Sequence, residues 1–263
     1  MKTLTAQLAT EVPMMQSPKY VEDDGYAVEP KLDGHRLLLV GTGDSEVVAL
    51  GRSGGPYGHQ IPKPLKRLRL PQGWTVDGEM VDKVLWVFDL IPDGREALTL
   101  TARRNLAAAL VHYLDSPSMR LVIQARGVEN KTELIRQIIE TKREGFIIKR
   151  LDAPYTPGRS ASWMKVKLVS TIDAVVLDVR DDGKESVRLG VYSKGKMIDV
   201  GRTSIVGKGK IAPGDVLELR YLYATDRSRP RLVQPRVMRR RTDKTATECT
   251  ADQLKYTNKA VIE

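Results

Sequence analysis

Apolar positions along the chain fall mostly into short blocks and period-two alternations, with helical spacing confined to two stretches. Tyr26–Val28, Leu37–Val40 and Glu46–Leu50 have the length and alternation of short strands. Trp74–Val81 and Val84–Leu90 predict a strand pair turned at Asp82-Lys83. Ala102–Leu114 places Leu106, Leu110, Tyr113 and Leu114 on one face, the spacing of a helix. Asn130 followed by Glu133 has the spacing of a capping box, and Leu134, Ile135, Ile138 and Ile139 then supply the buried stripe of a second helix. Gly145–Leu151 and Ser162–Leu168 predict two more strands. Ahead of Tyr26, Pro13 and Pro18 break any long element. Gly51–Gly58 is too rich in glycine and proline to be anything but a loop, and it lacks the G-x-G-x-x-G spacing of a dinucleotide fingerprint.

The character shifts after Leu168. Ile172–Val179, Ser186–Tyr192, Met197–Val200, Val216–Tyr223 and Arg231–Gln234 are short β-like runs separated by Gly, Asp, Lys and Pro. Such a series in a basic segment predicts a small barrel of the oligonucleotide-binding type. The boundary is expected near 168–170, giving domains of 1–168 and 169–263, a division in line with about 100–200 residues per domain.

Charge narrows the class of partner. The chain of 263 residues carries a formal net charge of +10 and a pI near 9.6. Up to Lys167 there are 24 basic and 20 acidic residues; beyond it, 19 basic and 13 acidic, so the shorter part is the more basic. A polyanion such as nucleic acid is the expected partner. Cys249 is the one cysteine, which excludes an intrachain disulfide and disfavours a cysteine-based zinc site. Neither a signal-like N-terminus nor a membrane-length apolar run is present, so a cytoplasmic protein is expected. His59, His112 and Cys249 read as structural or surface residues.

The stretch Glu29-Pro30-Lys31-Leu32-Asp33-Gly34-His35-Arg36 stands between two strand-like runs. A lone K-x-D-G is most simply a charged hairpin turn. Its company changes that balance: Arg52, Glu79 in Asp77-Gly78-Glu79, Phe88-Asp89, Glu144-Gly145, Arg159, Lys165 and Lys167 all fall at strand ends, in loops or on strands. Individually, Glu79 would be a turn carboxylate, Phe88 a core residue and Lys165-x-Lys167 a solvated strand edge. Collectively they supply a nucleophile, carboxylates for a divalent metal, cations for phosphate oxygens and a ring for a base.

In this order the motifs resemble those of the covalent nucleotidyltransferase superfamily, and most closely the ATP-dependent DNA ligases, over nearly the whole chain. The series is Glu29–Arg36, Arg52-Ser53-Gly54, Val76–Glu79, Val87–Leu90, Glu144–Lys149, Trp163–Lys167 and Pro235–Lys244. The resemblance implies an α+β fold, with an ATP-grasp-like nucleotidyltransferase domain of antiparallel sheets and helices followed by a small OB-fold β-barrel. It implies that Lys31 attacks the α-phosphorus of ATP to form a lysyl-AMP. Attack needs the neutral amine, and neighbouring cations disfavour an ammonium in their midst. Glu79 and Glu144 match the carboxylates associated with Mg2+ or Mn2+, with Glu79 also near the ribose. Glu29 matches the contact to the adenine amino group and Phe88 the ring that stacks on the base. Arg36, Arg52 and Arg159 match positions near sugar and phosphates, Lys165 and Lys167 the α-phosphate cradle, and Arg241 and Lys244 positions aimed at the β,γ-phosphates.

Two departures from the family pattern stand out. Gly51 occupies a place where Ser or Thr is usual, and 28 residues precede Glu29, leaving no room there for an N-terminal DNA-binding domain. A minimal two-domain monomer acting on nicked duplex DNA, with an accessory DNA-binding protein in place of a clamp, is the expectation. An mRNA-capping guanylyltransferase shares K-x-D-G and a barrel, but Glu29 and the Pro235-Arg236 lead-in favour the adenylating branch; an RNA ligase stays open. A non-catalytic nucleic-acid-binding module would be expected to carry more stacking aromatics than Tyr192, Tyr221, Tyr223 and Tyr256.

Overall fold

The computed structural model describes residues 5–43, 46–180 and 185–256. The chain divides into two compact units, one of residues up to Glu140 together with Gly145–Lys167, the other of Thr141–Glu144 with the described residues from Leu168 onward. Both are mostly sheet, and the class is mixed α and β. Among the described residues no helix is long and apolar enough to cross a membrane.

The first unit contains strands β1 (Gln7–Glu11), β2 (Tyr26–Pro30), β3 (His35–Val40), β4 (Val48–Leu50), β5 (Thr75–Val81), β6 (Val84–Ile91), β7 (Met119–Leu121), β8 (Gly145–Arg150) and β9 (Gly158–Lys167). Its helices are α1 (Pro18–Val21), α2 (Lys63–Lys66), α3 (Leu100–Leu114) and α4 (Val128–Glu140). The strands form two sheets, ordered β1-β9-β8-β2 and β4-β3-β5-β6-β7. Lys31–Gly34 is therefore a link from one sheet to the other, since β2 and β3 do not pair; the hairpin reading of this stretch is corrected.

Alternation sets the faces. Leu37 and Leu39 of β3, Val76 of β5 and Leu85 and Val87 of β6 point to one side, where Leu65 of α2 and Ala107 of α3 meet them. Val28, Phe146, Ile148 and Val166 are buried on one face of the first sheet, and α4 packs on β2 and β8. Each such apolar side chain contributes about 1.5–3 kcal/mol on burial. Asp82 and Lys83 turn β5 into β6 with φ of 47° and 68°, the left-handed pair that a two-residue hairpin requires.

Several elements differ from expectation. Gln7–Glu11 forms β1, parallel to β9, although its mixed composition carries no strand signal. The helix α3 begins at Leu100 behind Thr99, whose hydroxyl accepts from Ala102 N at 3.3 Å, and Tyr113 is 83 % exposed rather than on the packed face. Leu106, Leu110 and Leu114 do pack against the core, and Arg103 and Arg104 are buried as well, because Asp89 and backbone carbonyls satisfy them. Asn130 lies inside α4 and donates to Arg126 O, so it is not the cap, and Ile139 is 45 % exposed while Lys131 is buried.

The second unit contains β10 (Ser170–Arg180), β11 (Ser186–Ser193), β12 (Lys196–Ser204), β13 (Val216–Tyr221) and β14 (Arg236–Arg240), in one antiparallel sheet ordered β12-β11-β10-β13-β14. Its core gathers Ile172, Val187, Leu189, Leu217, Leu219 and Tyr221. The last strand is not Arg231–Gln234. Gln234 has a φ of 51°, which interrupts an extended run, and the following polar Arg236–Arg240 pairs with β13 through the single buried Val237. Leu232 N donates to Val200 O at 2.8 Å and Thr203 Oγ1 to Pro235 O at 2.7 Å, so the approach to β14 runs beside β12.

Candidate active site

Register decides which side chains share a face of the first sheet. Lys149 stands opposite Ala27 and Trp163, Ile147 opposite Glu29 and Lys165, and Gly145 opposite Lys167. Cross-strand partners project to the same side, so Glu29, Lys149, Trp163, Lys165 and Lys167 form one polar face behind the apolar one. Lys31 follows β2 directly, and its backbone N donates to Gly145 O at 2.9 Å. The lysine is thereby anchored at the end of the sheet where Lys165 and Lys167 emerge.

Charge accumulates there. Lys165 Nζ and Lys167 Nζ lie 3.8 and 3.7 Å from Glu11 Oε2, a bridging carboxylate presented by β1. Partial burial lowers the Lys165 pKa, and Lys167, Arg159 and Lys31 lower it further against the opposing pull of Glu11. Lys167, Arg159 and Lys31 are thus each within electrostatic reach of Lys165. Arg159, on β9, is exposed and donates from Nη1 to Ala9 O at 3.2 Å.

The second sheet contributes Arg36, paired in register with Glu79 and, one strand further, Trp86. Arg36 makes a two-pronged contact with Asp77, Nε to Oδ1 at 2.5 Å and Nη2 to Oδ2 at 2.6 Å. Asp77 is fully buried and also accepts from the Tyr155 hydroxyl at 2.8 Å. Burial and the Asp77 charge push the Tyr155 phenol well above its ordinary value, so its hydroxyl stays a donor. Arg36 is therefore held by this carboxylate network as well as lying near Glu79.

Phe88 is largely buried in a cluster with Trp163, Tyr155 and Trp86. The Arg36 guanidinium lies 4.5 Å from the centre of its ring and the Lys149 ammonium 4.4 Å. Lys149 is also 4.0 Å from the Trp163 ring and 2.6 Å from Glu29 Oε2, both side chains of the ion pair being 2 % exposed. Burial lowers the Lys149 pKa while Glu29 and Asp89 oppose it.

Arg52 is exposed in the turn Gly51–Gly54. Glu144 is buried just before β8, and its backbone O accepts from Leu168 N at 2.9 Å. Among the described residues no set of three or more His, Cys, Asp or Glu converges as a metal site. Within the second unit, Arg241 follows β14; its Nη1 lies 3.2 Å from Asp173 Oδ1, and Lys244 Nζ donates to Asp173 Oδ2 at 2.5 Å. Arg241 also pairs with Asp243, Nη2 to Oδ2 at 2.7 Å. The side chains that sequence reasoning missed are Lys149, Gln124, Asp77 and Tyr155. Asp77 shares the period-two face of Glu79, a signal that was available; nothing local marks Gln124 or Tyr155.

Lys31 thus lies on a sheet-to-sheet link, within electrostatic reach of Lys165, on a mixed α and β scaffold. Residues 82–167 match the family described as ATP dependent DNA ligase domain. A DNA ligase of Methanothrix thermoacetophila is 30 % identical over 181 residues, covering 64 % of this chain and 32 % of the relative. A probable DNA ligase of Mycobacterium marinum is 32 % identical over 224 residues, 66 % of this chain and 42 % of that one. Among solved structures, one described as "DNA binding with a minimal scaffold: Structure-function analysis of Lig E DNA ligases" aligns with a TM-score of 0.67 at 20 % identity. That alignment covers 90 % of this chain and 99 % of the other, and it speaks to the fold. The chain is thus similar to ATP-dependent DNA ligases over residues 82–167 and to these DNA ligases over about two thirds of its length. It spans about a third of the length of the first curated relatives it matches.

Proposed function

We propose that the protein is an ATP-dependent DNA ligase that seals 5′-phosphate/3′-hydroxyl nicks in duplex DNA. The observation that carries this reading is Lys31 fastened to Gly145 O within the electrostatic reach of Lys165. In the first step the neutral Lys31 amine attacks the α-phosphorus of ATP, forming a P–N bond as the α–β P–O bond breaks and pyrophosphate departs. The AMP then passes to the DNA 5′-phosphate, the P–N bond breaking and the amine returning. Attack of the 3′-hydroxyl on that activated phosphate forms the phosphodiester and releases AMP.

The groups needed are those of position and charge rather than of covalent chemistry. Lys165, Lys167 and Arg159 would neutralise the α-phosphate oxygens, Arg36 and Arg52 would contact sugar and phosphates, and Phe88 would meet the base edge or face that reaches it. Glu79, half-buried, and Glu144, buried, are the carboxylates that by resemblance would hold Mg2+, an ion that takes one or two carboxylates and completes its shell with phosphate oxygens and water. Bound there, the metal would supply charge neutralisation at the phosphates. Arg241 and Lys244 would act on the β,γ-phosphates in the first step alone.

The second unit we read as an OB-fold, supported by its five antiparallel strands and by the bonds that bring the approach to β14 alongside β12. Its excess of basic residues suits the duplex backbone. We read it as a monomer working with an accessory DNA-binding protein. The test is incubation with α-labelled ATP or GTP and Mg2+, followed by a denaturing gel. Acid-labile label from ATP on the chain, absent in Lys31→Ala, is expected. No covalent label, or label from GTP alone, would overturn the ligase reading.

A further inference from the structure

β1 runs parallel to β9, and a break in its register decides what it presents. Gln7, Leu8 and Ala9 stand opposite Gly158, Arg159 and Ser160, a run that would bring Glu11 opposite Ser162. The ladder slips between Ala9 and Thr10, so Glu11 stands opposite Lys165 instead. Val12 N fixes the slipped register by donating to Lys165 O at 3.0 Å. Each of Arg159, Lys165 and Lys167 therefore has an oxygen of β1 beside it. Ala9 O accepts from Arg159 Nη1 at 3.2 Å, and Glu11 Oε2 lies 3.8 Å from Lys165 Nζ and 3.7 Å from Lys167 Nζ.

The two ion pairs are long. At 3.7 and 3.8 Å they attract by charge alone, beyond the length of a hydrogen bond. The Glu11 side chain is 48 % exposed, against 20 % for Lys165 and 16 % for Lys167. Glu11 opposes the repulsion that Lys165 meets from Lys167, Arg159 and Lys31. An exposed carboxylate at such a distance is held weakly and returns to water at little cost. The lysines, mostly covered, are the fixed partners, and the carboxylate is the one free to leave.

We propose that Glu11 is a displaceable stand-in for a phosphate group: it occupies the Lys165 and Lys167 pair when no phosphate is bound, and it competes with the phosphate oxygens that bind there. It thereby sets the affinity for nucleotide and eases the release of AMP. The proposal rests on the nucleotide-transfer reading, in which this pair holds the α-phosphate. Carboxylate and phosphate both offer charged acceptor oxygens, and two anions at one pair of ammonium groups repel each other. Apparent affinity falls by the fraction of time that a site is open. A carboxylate held weakly, leaving the pair open about one fifth of the time, reduces phosphate affinity about fivefold.

The experiment compares Glu11→Gln and Glu11→Thr with the unaltered chain; both residues suit a half-exposed strand end, and the thermal midpoint checks the fold. Binding of inorganic pyrophosphate is measured by isothermal titration calorimetry, and label transfer from α-labelled ATP with Mg2+ across a range of ATP concentrations. The expected result is pyrophosphate bound about fivefold more tightly, equivalent to about 1 kcal/mol. KM for ATP should fall by a similar factor, in excess of any change in the maximal rate. The gain should shrink below about twofold when Glu11→Gln is added to Lys167→Gln, since the two charges no longer couple. Affinities unchanged or weakened in both Glu11 variants would overturn the proposal, as would a gain that persists in full beside Lys167→Gln, which would be a general effect of lost negative charge. An unaltered chain that takes no label from ATP, with pyrophosphate still bound more tightly by Glu11→Gln, would sink the ligase reading and leave the competition standing.

Discussion

Gly145 is the residue on which the placement of Lys31 depends most directly, and Gly145→Ala tests that dependence. An alanine Cβ would stand 2.0 Å from Val166 O and 3.0 Å from Lys167 Cα, where contacts below 3.0 Å are essentially never found. β8 and β9 would have to part by about 1 Å on a spacing of about 4.8 Å, weakening one or two ladder bonds of about 0.5–1.5 kcal/mol each. The φ of 149° adds a further cost of about 1–3 kcal/mol for a residue with a side chain. A total near 3 kcal/mol lowers the midpoint by about 6–12 °C for a unit of this size. The functional effect is larger. Gly145 O anchors Lys31 N and Gly145 faces Lys167, so the shift moves nucleophile and cradle relative to each other. A misplacement of about 1 Å costs about a hundredfold in rate. Differential scanning calorimetry and single-turnover label transfer from ATP measure the two effects. A variant within about 2 °C and threefold of the unaltered protein would refute the idea that this close strand approach sets the lysine.

Three further outcomes are expected. Tyr155→Phe removes a donor from buried Asp77 and an acceptor from Gln7 N, costing about 1–3 kcal/mol. Asp77→Asn breaks the charge pair with Arg36 and should cost about 3–5 kcal/mol by urea unfolding, so equal losses in the two variants would be inconsistent with the network. Arg241→Ala should block self-adenylylation yet still seal a nick supplied with an adenylylated 5′-phosphate, and Asp173→Ala, which removes the carboxylate shared by Arg241 and Lys244, should shift the same step; equal slowing of both substrates would remove Arg241 from the first step. Binding to nicked duplex, measured by fluorescence anisotropy across a salt series, should show a log–log slope of roughly −4 to −5 for about five neutralised phosphates; a flat profile would contradict backbone binding.

Much of the molecule was legible along the chain because the signals are local. The alternation of β3, β5 and β6, the turn at Asp82-Lys83 and the short basic strands after Leu168 all follow from side-chain period and turn chemistry, which depend on near neighbours in sequence. The motif residues, from Lys31 to Lys244, were likewise nameable by type and order. What the sequence hid was pairing at a distance. β1 draws its stability from parallel bonds to β9, about 150 residues away, so nothing within Gln7–Glu11 could announce it. β14 is a polar edge strand with one buried side chain, which hydrophobicity cannot mark.

The chain by itself therefore determined most of the strands and the two long helices, the charge balance and the inventory of reactive groups, since each is a property of a few consecutive residues. Only the tertiary structure decided that Lys31 lies on a link between two sheets, that Arg36 is tied to Asp77, and that Glu29 meets Lys149 and Gln124. Those facts come from strand register and sheet order. A one-residue slip would send every such side chain to the opposite face, and no local pattern specifies which distant strand supplies the partner.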